Sequence, residues 1–419
     1  MTVFSVYYLA AIALAVADWR GRLARWRIAT PRWECSWWAA ILLIGYVAQL
    51  AILYASAQHR PWPIALLAPV PPHADLLAIG MLLLGTVQVW ALVGLYRSGQ
   101  SRATIVAGTA VMLALSLAAP VFANADAYAY VGNGVLGLAA YAPPAVPFGG
   151  ELAFVNARWG VPLPAATYGP LWLAIARVLV LAPGLAAKLI AFRVLGAGAF
   201  VAMLLLLRPA GVPRRVVGIV ALNPAFAWQF VADAHNDALA LAMAVAAAAM
   251  IRRFPAAACG AIVAAALVKL PYAVAALPVL AALRGYRRYA AAAGTVLAAL
   301  AFSWLAGGEA YAHALLSYAR ASRLEDALHL LAALLALAVV AAALAGWRRL
   351  RAAVWLIPML GAYTAPWYAA WSVPYALARR RVLAYLAIWF PLVCAIAEPS
   401  LTRPWTLFFV VPVVVLTSL

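Results

Sequence analysis

Charge is scarce in this chain. Only a tenth of its 419 residues are charged and only 11 are acidic, whereas soluble domains carry roughly a quarter charged residues. With 68% of residues hydrophobic, that scarcity excludes a soluble domain carrying a single anchor, because long apolar runs recur from end to end. No stretch alternates with period two, which excludes a transmembrane barrel and leaves helices as the spanning elements. Cysteine is nearly absent: Cys35, Cys259 and Cys394 are far apart and odd in number, so neither a disulfide framework nor a metal-binding spacing exists, and apolar packing is their default role. No Walker A, GxSxG, HExxH or CxxC pattern is present, and no loop is large enough for a nucleotide-binding domain. An enzyme built on this chain would need another donor, and a lipid-linked one suits the restriction. No fixed-period repeat appears. The first apolar run, VFSVYYLAAIALAVA, lacks a basic n-region and reads as a retained span rather than a signal peptide. Residues 1–419 are therefore expected to form a single all-α, polytopic integral membrane domain.

The chain does have arginine. Its net charge of +19 would suit nucleic acid if the cations formed one patch, but they do not. They cluster between apolar runs, at Arg20–Arg32, Arg97–Arg102, Arg208–Arg215, Arg252–Arg253, Arg284–Arg288, Arg348–Arg351 and Arg379–Arg381. This is the positive-inside pattern, with added attraction to anionic lipid. Alternating sides gives spans near 3–17, 37–57, 76–95, 104–122, 187–207, 216–233, 238–251, 289–305, 327–346, 382–398 and 404–419. Two further regions, 256–283 and 352–378, have arginines at both ends and must go out and return, so about 12–14 crossings are expected. Segment 169–182 reads as a partial or interfacial helix. Segment 123–168 becomes a long outer loop, with short helices lying in the membrane interface.

On this map the unusual polar residues gather on the outer side: Asp126, Tyr168, the ADAHND turn over 232–237, Lys269, the Trp367–Trp371 segment, and Glu309, Arg320 and Arg323 before the span at 327. Ionisable residues at membrane depth are functional candidates by default. Each also has a plainer reading. Asp126 suits a helix N-cap. The acids around His235 suit a solvated turn. Trp367, Tyr368 and Trp371 suit an interfacial belt. Lys269 suits a snorkelling lysine. Arg177, Lys188 and Arg193 lie closest to the outer ends of 169–207, either as partners for an acid or as phosphate contacts.

The order of motifs carries a resemblance. Asp126, Tyr128, Tyr130, Gly132, Tyr141 and Pro143 are followed by Tyr168-Gly-Pro-Leu171 and by Asn223-Pro224, then by His235-Asn236-Asp237, Lys269-Leu270-Pro271 and Pro366-Trp-Tyr-x-x-Trp371. Over roughly residues 100–380 this resembles the bacterial GT-C glycosyltransferases, nearest to the polyprenol-phosphate-mannose-dependent mannosyltransferases. The residues before His235 are Ala-Asp-Ala, where glycine is expected. The resemblance implies a GT-C fold in the bacterial inner membrane, with the active site facing the periplasm or cell exterior. It implies a polyprenyl-phosphate sugar as donor, most simply mannose, and a glycan or lipid-linked acceptor; no nucleic acid is implied as partner. Inverting transfer needs one general base, and Asp126 matches that aspartate. Arg193, Lys269 and, more remotely, Arg158 would neutralise the leaving phosphate. Tyr128, Tyr168, His235, Asn236, Asp237, Trp367, Tyr368 and Trp371 would hold sugar or acceptor. No cofactor is certain; a divalent ion is possible, since Asp126, Asp233 and Asp237 could meet one, though nothing in the spacing demands it.

Two readings of other classes stand beside this one. A transporter or flippase for a lipid-linked or small solute would also use intramembrane charge and broken helices, but it would show no product chemistry. A non-catalytic assembly subunit would tolerate substitution of Asp126 and His235.

Overall fold

The computed structural model describes residues 30–59, 62–67, 74–121, 126–276, 283, 285–321, 366–377 and 380–396. The expected spans at 3–17, 327–346 and 404–419 lie outside the described residues, as do most of 352–378, the return limb of 256–283, and Arg323.

The described chain is an all-α membrane protein. Its apolar, Ala- and Leu-rich runs satisfy their backbone groups within each helix, as a lipid environment requires. Four helices are long and apolar enough to cross: Cys35–Ser56, Asp75–Arg97, Gly184–Leu207 and Tyr286–Leu305. A further pair, Arg214–Ala221 and Pro224–Ala232, is bent by 53° and is together long and apolar enough for a broken span or a re-entrant loop. The remaining apolar helices are shorter: Arg102–Ala118, Pro170–Leu179, Asp237–Met250, Pro255–Val268 and Leu383–Ala395. Among the described residues, the expected crossings are therefore represented by four helices of spanning length, one bent pair and several shorter apolar helices. The Pro170–Leu179 helix has 10 residues, about 15 Å of rise against a core of about 30 Å.

The non-helical pieces position the site. A two-stranded antiparallel hairpin pairs Ala57–His59 with Ala65–Leu67. From its turn Trp62 Nε1 donates to the Ala118 carbonyl at 2.8 Å, and Val121 N donates to the Pro63 carbonyl at 3.0 Å. Those contacts hold the chain where it leaves the Arg102–Ala118 helix, five residues before Asp126.

The stretch expected to form short helices does so, and the first of them is buried within the described protein. Asp126 opens a helix to Leu136, and every residue from Ala127 to Gly134 is buried. This helix packs against Pro170–Leu179 so closely that a Cβ on Gly134 would come within 2.6 Å of the Ala176 carbonyl oxygen. Arg177, from that second helix, donates to the Val135 carbonyl at 2.7 Å. The guanidinium is thus a C-terminal cap for the Asp126 helix, and Lys188 likewise donates to the Ala182 carbonyl at 2.6 Å.

The Asn-Pro motif is a helix start. Asn223 accepts from Ala225 N at 3.0 Å with Pro224 in the first turn. Its Nδ2 donates to the Ala387 carbonyl at 2.5 Å, tying the bend to the Arg380–Ile396 helix. Beyond the bend, Trp228–Ala232 form a π-turn, a feature found often at functional sites. Finally, the segment before 327 is not a loop: Gly308–Ala321 is a helix.

Candidate active site

Five separated segments meet at Asp126. It sits at the first position of its helix, with a side chain 15% exposed. Tyr168 donates its hydroxyl to Asp126 Oδ2 at 3.4 Å, and His235 Nδ1 lies 3.5 Å from the same oxygen. Burial pushes the carboxyl up. The hydrogen bond and charge of His235, the charge of Lys269 and the Tyr168 hydroxyl together outweigh that push and hold Asp126 below the ordinary carboxylate value. The group is therefore a partly exposed carboxylate oriented by Tyr168 and His235.

Local chain geometry places its partners. Tyr168 precedes Gly169, whose N–H donates to the Val268 carbonyl at 3.1 Å. A side chain at Gly169 would collide with the Leu267 carbonyl, so glycine is what lets Tyr168 reach the Lys269 segment. His235 follows Ala234, which has φ +56, a left-handed conformation costly to a residue with a Cβ. This is where the resemblance calls for glycine, and the backbone shows why. His235 is stacked on Trp367 at 4.1 Å and 28°. Asn236 accepts from the Tyr130 hydroxyl at 3.2 Å.

The adjoining half of the site is an ion pair. Lys269 Nζ lies 2.6 Å from Asp237 Oδ2, and both groups are buried. Asp237 also accepts from Trp371 Nε1 at 2.8 Å and from the Tyr272 hydroxyl at 3.3 Å. The Lys269 ammonium sits 4.9 Å from the Tyr368 ring centre and 5.8 Å from that of Trp371, and those two rings are stacked at 3.8 Å. Asp237 thus accepts from groups inside the protein and is fully buried, whereas the Asp126 side chain is partly exposed. A buried pair of this kind needs its full set of partners to be tolerated.

The structure therefore brings Asp126, Tyr168, His235, Asn236, Asp237, Lys269, Trp367, Tyr368 and Trp371 into one cluster. It groups other candidates elsewhere. Arg193 is fully buried, and its Nη2 donates to the Ser116 carbonyl. Asp233 and Tyr128 lie within its electrostatic reach. Tyr128 donates to the Val121 carbonyl at 3.4 Å and packs on Phe154. Arg158 is half-buried in the last turn of the Ala153–Trp159 helix, outside the hydrogen-bonded network of Asp126. Glu309 pairs with exposed His313 at 3.9 Å on its own helix. Among the described residues, no three His, Cys, Asp or Glu side chains converge as a metal site. Asp126, Asp233 and Asp237 do not share one centre.

Sequence reasoning passed over Tyr130 and Tyr272 as site residues. Tyr272 had a signal, since it stands three residues after Lys269 in the same proline turn. Tyr130 stands four residues after Asp126, one helical turn along.

Comparison with protein families matches residues 37–285 to the alpha-(1->6)-mannopyranosyltransferase family, N-terminal domain. That span contains Asp126, Tyr168, His235, Asn236, Asp237 and Lys269. No curated protein and no solved structure matches the chain.

Proposed function

The chain belongs to the alpha-(1->6)-mannopyranosyltransferase family, and we propose that it moves a sugar, mannose in the first instance, from a polyprenyl-phosphate donor to an acceptor hydroxyl with inversion at the anomeric carbon. The family itself establishes a membrane-embedded glycosyltransferase. The observation that carries the finer reading is the division of labour between two carboxylates. Asp237 is fully buried and held by Lys269, Trp371 and Tyr272, whereas the Asp126 side chain is 15% exposed and oriented by Tyr168 and His235, and we assign the base to Asp126. A single base suffices for direct displacement, whereas double displacement also needs a nucleophile.

In this mechanism the acceptor hydroxyl donates to Asp126 and attacks the anomeric carbon as its proton passes to the carboxylate. The bond from that carbon to the phosphate oxygen breaks, and polyprenyl phosphate leaves with the electron pair. His235 and Tyr168 fix the orientation of Asp126 Oδ2. Lys269 carries charge next to the reacting groups and is our candidate for neutralising the leaving phosphate. Arg193 donates to the Ser116 carbonyl and Arg158 lies in the last turn of the Ala153–Trp159 helix, and we assign both to holding the surrounding helices. We place the sugar against Asn236, Trp367, Tyr368 and Trp371, which surround the Asp126 and Lys269 groups. We place the site on the periplasmic or outer face of the bacterial inner membrane, because the arginine clusters mark the opposite ends of the helices as cytoplasmic.

The test is reconstitution in lipid nanodiscs with a panel of polyprenyl-phosphate sugars and short glycan acceptors. Polyprenyl phosphate should appear in step with product, and NMR should show an inverted anomeric centre. Retained configuration, or transfer directly from a nucleotide sugar, would overturn the reading.

A further inference from the structure

Tyr130 takes no part in the chemistry proposed above, yet it reaches toward both groups that orient Asp126. It stands four residues after Asp126, one turn along the same helix, and it is completely buried. Its ring packs edge-on against Tyr168 at 5.1 Å and 77° and against Trp172 at 4.8 Å and 76°, with Phe192 5.8 Å away. Tyr168 is the residue whose hydroxyl donates to Asp126. The Tyr130 hydroxyl meets a second residue twice. It donates to Asn236 Oδ1 at 3.2 Å and accepts from the Asn236 backbone N–H at 3.4 Å. Asn236 directly follows His235, whose Nδ1 lies 3.5 Å from Asp126 Oδ2.

This double contact falls where the chain most needs one. Ala234 has φ +56, and a residue with a Cβ keeps such a backbone only where its surroundings hold it. On one side the turn is bonded to the π-turn that precedes it. Asp233 N donates to the Trp228 carbonyl at 2.9 Å, and His235 N donates to the Gln229 carbonyl at 3.1 Å. Those bonds stay within residues 228–235 and do not reach the Asp126 helix. The Tyr130–Asn236 contact does: it spans 106 positions of sequence and joins the turn to the helix that carries the base. We propose, on the glycosyltransferase reading of the site, that Tyr130 is a positioning residue for the transfer. By gripping both the side chain and the backbone of Asn236, it keeps His235 in register with the Asp126 carboxylate. The grip is itself preorganised, because the ring that carries the hydroxyl is caged by Tyr168, Trp172 and Phe192.

The experiment is a pH profile of sugar transfer by the full chain in nanodiscs, from polyprenyl-phosphate mannose to a short mannooligosaccharide. It compares wild type, Tyr130→Phe, His235→Gln and the double variant. Tyr130→Phe removes the hydroxyl and keeps the caged ring, so the packing against Tyr168 is retained. Misplacing a catalytic group by about 1 Å costs up to about 100-fold. A loosened turn should lower kcat by about tenfold and leave the donor KM within about twofold of wild type. His235 helps hold Asp126 below the ordinary carboxylate value, so the acid limb of kcat/KM should move to higher pH by about half a unit. Tyr168, His235 and Lys269 face Asp126, and Tyr130 and Tyr368 lie within its electrostatic reach. The phenols and the ammonium keep their charge throughout the acid range, so the limb reports the carboxylate and imidazole together. In the His235→Gln background Tyr130→Phe should move the limb no further, because its effect runs through the imidazole. A merely structural role would lower the melting temperature and leave the limb in place, since the position of a limb does not depend on the amount of folded protein. Should Tyr130→Phe fail to fold, Asn236→Ala, which removes the Oδ1 acceptor and keeps Tyr130, should move the limb in the same direction. An unmoved limb in a folded variant, or a full further shift on top of His235→Gln, overturns the positioning role while wild-type transfer keeps the activity standing. A wild type that transfers no sugar from any lipid donor overturns the activity reading and the positioning role together.

Discussion

Replacing Asp237 by asparagine removes half of a buried ion pair and keeps the shape. Lys269 would then lie buried with only the more distant Asp126 carboxylate as counter-charge, and leaving one partner of a buried pair costs about 3–5 kcal/mol. Its position over the Tyr368 and Trp371 rings, 4.9 and 5.8 Å away, offsets up to about 2 kcal/mol. The new amide adds a further difficulty. Its single oxygen must serve Lys269, Trp371 and Tyr272, which now share the carboxylate, and one unmet buried donor costs about 1–3 kcal/mol. The net expectation is a loss of about 3 kcal/mol. Lys269→Met alone should cost less, about 2 kcal/mol, because Trp371 and Tyr272 still donate to the carboxylate. The double variant Asp237→Asn/Lys269→Met carries no buried charge and should recover much of the loss, giving a coupling of at least about 2 kcal/mol in a double-mutant cycle. Unfolding in detergent micelles followed by tryptophan fluorescence reads the cycle, and sugar transfer should stay absent in the double variant. Single losses below about 1 kcal/mol that simply add would refute the claim that this pair is buried and mutually dependent.

Three other outcomes are expected. In a pH profile of kcat/KM, His235→Gln should move the acid limb to higher pH, because it removes the hydrogen bond and charge that most depress Asp126; an unmoved limb would detach His235 from the base. The same depression makes the Asp126 contribution to stability complete above the ordinary carboxylate range and lost as pH falls through its lowered value, so thermal stability of Asp126→Asn should converge on wild type under acid conditions. Ala234→Gly should stabilise the protein by about 1 kcal/mol by relieving φ +56, and a loss of stability in thermal melts would contradict that strain.

Much of the site was legible because its chemistry is local in sequence. A lysine in a proline turn, two acids around a His-Asn, and a Pro-Trp-Tyr segment are each conspicuous in a chain with so little charge. The arginine pattern then placed them on one side, and they meet at Asp126. Arg193 was not legible in the same way. Hydropathy puts it near a helix end, but the span of Gly184–Leu207 rotates it inward onto the Ser116 carbonyl, and rotation about a helix axis that is apolar all round leaves no trace in composition. The close packing of the Asp126 helix was hidden for a related reason. Tyrosine and glycine suit an interface, and only the close approach of Gly134 to Ala176 reveals those glycines as packing surfaces. The helix at Gly308–Ala321 reads as a loop because Glu309, His313 and Arg320 break its apolar character, while its buried stripe is just Ala310, Tyr311 and Ala314.

The most direct test compares wild type with Asp126→Asn at matched folded protein in nanodiscs, following release of polyprenyl phosphate from its mannosyl ester in the presence of acceptor. Loss of a general base is expected to slow transfer by about 10²–10⁴-fold while donor binding persists. Transfer that survives the substitution within a few-fold would contradict Asp126 as the base.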